Sequence, residues 1–383
     1  MNPIFLRSLA LSLTIGSLTA VDKGRPAFQY ESDGIRVPSA TADEPKVKLF
    51  GPASVLAARK YLDDGALHWV REKSCVACHS TGVYLAERPA LTKLLGPPSE
   101  EVLKDFIETV PTKNGKPRLV RGVKYFGGSI QSVWRSLGLA NWDRHVTGKL
   151  SDHTDKSLRH TLNCLADEGL IKTYSETEIP YITTDFQLTV QAARALVTAP
   201  GWLATVKDAD SLERIDRMKK WLRDHEPISD FERAVQLQLS LDMPDLVPMA
   251  KRKAAIEMLW RQQLPDGGWS TRRMSDLMKW HEKMDPKVLE MIRGEPDAAN
   301  PGSDAYLTAW AIVLLRESGI GKDDARIRKG IRWLKENQRV SGRWWMKSLY
   351  RDTYHYITYI STAVALHALA SCDELPNVTQ LKR

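Results

Sequence analysis

The sequence predicts an all-α protein, an α/α toroid of about six outer–inner helical hairpins. Three observations predict it. A Trp-centred pattern recurs at the ends of amphipathic segments: Trp69-Val70-Arg71-Glu72, Trp221-Leu222-Arg223-Asp224 and Trp333-Leu334-Lys335-Glu336, with Cys164-Leu165-Ala166-Asp167 as a weaker copy. After each copy comes a loop and then a segment of different character, such as Ala305 to Leu315 or Ile360 to Ala370, apolar nearly all round and therefore buried on every side. These buried segments also share start signals: Thr184-Asp185-Phe186-Gln187 and Ser229-Asp230-Phe231-Glu232 are capping boxes, and Ser303-Asp304 has the cap without the box.

Taken in order, the chain opens with Arg7 and an uncharged apolar stretch, Ser8 to Leu18, too short to span a bilayer. Residues 1–20 are expected to be a signal peptide cut after Ala20, although Leu18 is a poor match to the small residue preferred there. The protein is thus expected to be exported, on the periplasmic or cell-envelope side, with no transmembrane segment. Residues 21–47 are polar and contain proline, and predict an extended arm. Helical pairs follow over 53–90, 99–140, 155–199, 211–242, 247–318 and 323–371, within a toroid spanning 48–375 and ahead of a tail at 376–383. In the last outer segment Ile327, Ile331 and Leu334 share one face while Arg328, Lys329, Arg332 and Lys335 share another. Gly127-Gly128 and a basic loop blur the second pair, leaving open whether 99–150 closes the ring, and 271–302 is an insertion. With six such pairs closed into a ring, the inner helices run parallel and start at one mouth.

Composition agrees with a folded domain. Of 383 residues 43% are hydrophobic and 27% charged, which excludes disorder, collagen or coiled coil for the whole chain. Length alone suggests two or three domains; the repeat reduces them to one. The net charge of +8 is spread over most of the chain, so it describes mild basicity and not a nucleic-acid footprint. Four cysteines in a chain of this length form no disulfide framework. Cys164 and Cys372 fall at opposite ends of the predicted ring and are expected to be buried free thiols.

Two loops fit Gln-x-x-x-Gly-x-Trp: Gln263-Leu264-Pro265-Asp266-Gly267-Gly268-Trp269 and Gln338-Arg339-Val340-Ser341-Gly342-Arg343-Trp344. This resembles the QW motif of the squalene–hopene cyclase and terpenoid cyclase/protein prenyltransferase families, and the likeness covers roughly 211–371. The resemblance implies an α/α toroid and argues for fold, not activity. Gln263, Gly267, Trp269, Gln338, Gly342 and Trp344 would be structural, the Gln bridging backbone groups at the turn and the Trp packing between helices. Cyclases of that family protonate an alkene or epoxide with an Asp-x-Asp-Asp motif, absent here: Asp208-Ala209-Asp210 is followed by Ser211, and Asp304 stands alone. The Asp/Cys/His zinc site of the prenyltransferases is not matched either.

Cys75-Val76-Ala77-Cys78-His79 resembles a c-type haem attachment site. The resemblance implies that Cys75 and Cys78 form thioethers with the two haem vinyl groups and that His79 is the proximal iron ligand. Rival readings are a redox dithiol, which calls for a βαβ context, and half of a zinc site, which needs a second ligand pair. Aligning Trp69 on Trp333 sets Cys75 to His79 against Arg339 to Arg343, inside the loop that carries the QW motif in the last hairpin. A sixth ligand is not evident, since no Met occurs between His79 and Met218. His355, opening the last inner helix, is a candidate distal ligand, with a hydrogen-bonded His at a helix start as the equal alternative. Met274, Met278, Met284, Met291 and His281 lie in the insertion, which could cover the mouth.

The expectation is therefore an exported protein with covalent haem c on a terpenoid-cyclase-like toroid, serving electron transfer or redox chemistry on an apolar ligand in the central cavity. A redox partner protein and an isoprenoid or other apolar ligand are the expected partners. The basic run Lys322 to Arg351 is either a solvated face or a docking site for an acidic partner. The alternatives are a non-haem scaffold holding an isoprenoid or a partner, and an unusual cyclase.

Overall fold

A computed structural model describes residues 27–73, 80–109, 117–120, 123–126, 129–173, 184–275, 290, 293–347 and 356–381. The predicted leader 1–20 and the last two residues of the tail lie outside it. No described helix is long and apolar enough to cross a membrane.

Alternating tyrosine, isoleucine and valine make the first element. Strands β1 (Phe28–Ser32) and β2 (Ile35–Pro38) pair antiparallel around Gly34, whose φ of 75° suits a tight turn. Tyr30, Ile35 and Val37 are buried and their neighbours are not. The arm expected to be extended thus contains a hairpin, whose period-two pattern and Asp33-Gly34 turn were present in the sequence.

The first helical pair is α1 (Pro52–Lys73) and α2 (Thr81–Glu87), followed by the short α3 (Thr92–Leu95). The second is α4 (Glu100–Glu108) and α5 (Ser129–Trp142), with strands β3 (Pro117–Val120) and β4 (Val123–Phe126) between them. The third is α6 (Asp152–Asn163) and α7 (Asp185–Thr198), and the short α8 (Trp202–Thr205) precedes the fourth, α9 (Ala209–Asp224) and α10 (Asp230–Asp242). The fifth is α11 (Met249–Gln262), the short α12 (Thr271–Met274) and α13 (Ala305–Glu317). The sixth is α14 (Ala325–Asn337) and α15 (Tyr356–Ser371). The region 99–150, left open by the sequence, completes a hairpin.

Outer and inner helices differ as their patterns demand. Outer α14 buries Ile327, Gly330, Ile331 and Leu334, whereas inner α13 buries every residue from Ala305 to Leu315. Inner starts are capped by side chains: Thr184 accepts from Gln187 N, Ser229 from Glu232 N and Asp304 from Leu307 N. Among the described residues the inner helices pack in the order α2, α5, α7, α10, α13, α15, and α15 returns to α2 and α1. Tyr359 of α15 seals this return by donating its hydroxyl to the carbonyl of Leu62 at 2.7 Å.

Candidate functional site

The two Gln-x-x-x-Gly-x-Trp loops hold neighbouring hairpins together. Gln263 Nε2 donates to Gly267 O and to Arg326 O, both at 2.9 Å, so it ties its own turn to the start of α14. Gln338 Nε2 donates to Gly342 O and to Ser54 O, both at 3.0 Å, and ties the last hairpin to the start of α1. Gly267 and Gly342 have φ of 94° and 87°, and each presses on the backbone of that next outer helix. Trp269 and Trp344 are fully buried, with Nε1 donating to Leu259 O (2.7 Å) and Leu334 O (2.8 Å). Their backbone N–H groups donate to Thr308 and Thr362 on the inner helices.

A third loop of this shape carries neither Gln nor Trp. In Leu165-Ala166-Asp167-Glu168-Gly169-Leu170-Ile171, Ala166 N donates to Leu170 O and Gly169 N to Ala166 O, as Arg339 and Gly342 do in the last hairpin. Gly169 has a φ of 96° and presses on Arg217 of α9, while Ile171 N donates to Thr189 Oγ1 at 2.9 Å. In this register His160, not Cys164, stands where Trp333 does. Cys164 caps α6, and both Cys164 and Cys372 are buried free thiols.

The N-terminal arm braces the last loop. Val47 N donates to Gln338 O, Val340 N to Pro45 O, and Glu44 accepts from Ser341 N and Arg343. Asp304, between α12 and α13, accepts from Leu307 N and Thr271; burial lifts its carboxyl to about 6 against those bonds. It is held as a helix cap. His68 is half-buried, its ring against Tyr30 and its Nδ1 3.0 Å from Ser32 Oγ. Much of the basic run is paired: Lys322 with Asp373, and both Arg328 and Lys335 with Glu374.

Cys75, Cys78, His79 and His355 lie outside the described residues, as do Met278, Met284, Met291 and His281. Met274 is buried in the core. Ser80, next to the motif, is fully buried and its hydroxyl has no hydrogen-bond partner among the described residues.

The described residues bring together a different group of side chains. A cavity of about 530 Å³ runs along the inner helices, from Gln187 and Tyr306 in the first turns of α7 and α13 to the C-terminal ends. Glu87 closes α2, Asn141 is next to last in α5, Arg194 is near the end of α7, Asp242 and Glu317 close α10 and α13, and His367 is near the end of α15; all line it. Contacts of Glu87 with His367 and of Arg194 with Asp242 set the C-terminal turns of α2 and α15, and of α7 and α10, side by side, so these inner helices run parallel. Glu87 Oε2 and His367 Nδ1 are 2.6 Å apart, and Arg194 Nε donates to Asp242 at 2.9 Å. Each of these four side chains keeps a fifth to about a quarter of its surface accessible.

Burial pushes the Glu87 carboxyl up, but the hydrogen bond and charge of His367, with Arg194 beyond, outweigh it and hold it low. Burial likewise opposes protonation of His367, and Glu87 and Glu317 override it, so its pKa is raised. Glu317 forms no hydrogen bond or ion pair among the described residues, and burial raises its carboxyl against the pull of Arg194 and His367. The apolar ligand expected from the sequence does not suit this lining. Hydrocarbon laid on these groups would strip their water, at a cost of several kcal/mol per uncompensated charge.

None of these chamber residues was singled out from the sequence. For two of them the signal was a lone polar side chain inside an apolar run: Arg194 in Ala192-Ala193-Arg194-Ala195-Leu196 and His367 in Ala365-Leu366-His367-Ala368-Leu369.

No protein-family model matches the chain, and no curated protein matches it. Similar solved structures include the apo form of the type II terpene cyclase MstE from Scytonema, 14% identical over 84% of this chain and 99% of that one, with a TM-score of 0.44. Another is a wild-type glycosidase, 14% identical over 85% of this chain and 87% of that one, with a TM-score of 0.42. Likenesses at this level carry no argument about activity.

Proposed function

We propose that the protein is an exported c-type haem protein that transfers electrons. The observation that carries this reading is Cys75-Val76-Ala77-Cys78-His79, placed by sequence between α1 and α2. Two thiols three positions apart and a following imidazole are the donor set that covalent haem requires, and haem bound there would supply one-electron chemistry. The buried hydroxyl of Ser80, without a hydrogen-bond partner among the described residues, supports the reading, because it leaves a polar group available beside the motif. The leader around Arg7 and Ser8 to Leu18 is consistent with attachment outside the cytoplasm.

Electron transfer is favoured over redox conversion of an apolar ligand in the chamber by the charged groups that line it, Glu87, Arg194, Asp242, Glu317 and His367.

The test is pyridine haemochrome spectroscopy on the full chain co-expressed with a c-haem maturation system. A c-type α-band that survives acid–acetone extraction is expected, lost in the double variant Cys75→Ala, Cys78→Ala. No α-band, or haem removed by acid acetone, overturns the proposal. His355→Ala should alter the low-spin spectrum; an unchanged spectrum removes His355 from the ligand set.

A further inference from the structure

We propose that the chamber enclosed by the inner helices, with charged groups at their C-terminal ends, is a binding site for a small, uncharged, polyhydroxylated ligand of the mono- or disaccharide class. This goes beyond the haem reading and does not depend on it, since it uses none of the residues from 74 to 79.

Size is the first argument. About 530 Å³ falls within the range of small-molecule sites and accommodates one or two sugar rings.

Charge is the second. Glu87 is matched by His367 and Asp242 by Arg194, so the chamber is compensated pair by pair. An anionic ligand would meet Glu87, Asp242 and Glu317, and a cation would meet Arg194, Arg144 and Arg252. An apolar ligand would desolvate all of them. A neutral molecule with many hydroxyls avoids each penalty, because every hydroxyl both donates and accepts and can bridge groups of either sign.

The kind of polar group is the third argument. Planar carboxylates, guanidinium and amides make paired hydrogen bonds to adjacent hydroxyls, and the chamber holds all three types. Gln191 lies 3.0 Å from Gln238, and Gln238 also sits within hydrogen-bond reach of Arg194 and of the Trp310 indole. Tyr306 and Trp310 line the same space, stacked with centroids 6.0 Å apart and planes 17° from parallel. Such rings pack against the C–H faces of a sugar while the rim binds its hydroxyls.

Glu317 completes the case. It faces the chamber with no hydrogen bond or ion pair among the described residues, whereas the neighbouring carboxylates are engaged. A carboxyl left unspent in a polar chamber is the group a bound hydroxyl would take. Burial raises its carboxyl above the usual glutamate range.

The experiment is saturation-transfer-difference NMR on the full chain, with D-glucose and maltose as probes and geraniol as the apolar comparison. Saturation transfer to sugar ring protons is expected, stronger for the sugar that fills more of the chamber, and none to geraniol. Because Glu317 makes no hydrogen bond or ion pair with another described side chain, Glu317→Ala should fold normally and weaken binding tenfold or more. Glu213→Gln on the exposed face of α9 should leave binding unchanged. The proposal is overturned if neither sugar receives transfer at tens of millimolar, if Glu317→Ala binds as the parent does, or if geraniol competes with maltose.

Discussion

Replacing Gly342 with alanine probes the contact that closes the ring. Gly342 has a φ of 87°, and an added Cβ would stand 2.2 Å from Ala58 N and 2.4 Å from Ala57 C. Both are backbone atoms of α1, so nothing can swing aside; a helix must move. Gly319 is the control. Its φ is 92° and nothing lies within 4 Å of its added Cβ. Gly319→Ala therefore carries only the strain of a positive φ, about 1–2 kcal/mol. Gly342→Ala carries the same strain plus overpacking, typically about 1–3 kcal/mol and here at the upper end. With a urea slope above the roughly 3 kcal/mol/M that bounds small proteins, the two midpoints should differ by roughly 0.5 M. Gly267→Ala should fall between, because its Cβ meets Lys329 at 2.8 Å. The assay is urea unfolding followed by far-UV circular dichroism, with slopes compared first. If Gly342→Ala and Gly319→Ala unfold at the same denaturant concentration, the last loop does not press on α1 and the closure argued above is wrong.

Two further outcomes follow from the same geometry. Thr189→Val keeps the side-chain shape but leaves the Ile171 N–H unpaired in a buried place, which should lower stability by about 1–3 kcal/mol in the same urea assay; no change would mean that the loop at 165–171 is not built like the other two. For Glu87 and His367 the signs are opposite. The lowered Glu87 contributes stability above its ordinary 4.5 that is lost as pH falls through its folded pKa. The raised His367 contributes stability below its ordinary 6.5 that is lost as pH rises through its folded pKa. The pair is thus fully stabilising from about pH 4.5 to 6.5, and Glu87→Gln should lower the His367 pKa, since Glu317 alone then opposes burial; NMR titration of the His367 ring reads this directly, and an unmoved pKa would refute the pairing.

The hairpins were legible because periodicity and capping are local. Ile327, Ile331 and Leu334 mark one buried face within a few turns, and Thr184 or Ser229 marks a helix start within four residues. The loop at 165–171 escaped notice for a physical reason. A motif search looks for Gln and Trp, whereas the backbone shape is held by a glycine with positive φ and a threonine on the facing helix. The chamber was hidden in another way. Arg194 and His367 are each a single polar residue in an apolar run, Glu317 follows Arg316 at the end of another, and tens of positions or more separate them. Only closure of the ring makes them neighbours, and no local pattern encodes closure.

The parallel inner helices explain why the chamber needs its cations. Each helix presents roughly half a negative charge at its C-terminal end, from carbonyls without intrahelical partners. Glu87, Asp242 and Glu317 are the last residues of α2, α10 and α13, so each adds a carboxylate where the helix already disfavours one. Arg194 answers most of this. It bonds Asp242 and lies close enough to Glu317 and Glu87 for their charges to strengthen its hold on its proton, against the burial that opposes it. His367 is the second partner, its pKa raised by Glu87 and Glu317 against the burial that opposes protonation. Glu317, bonded to neither, is the carboxyl whose pKa rises. The differing fates of three chemically similar carboxyls thus follow from which of them reaches a cation, and the one left over is the one free to meet a ligand.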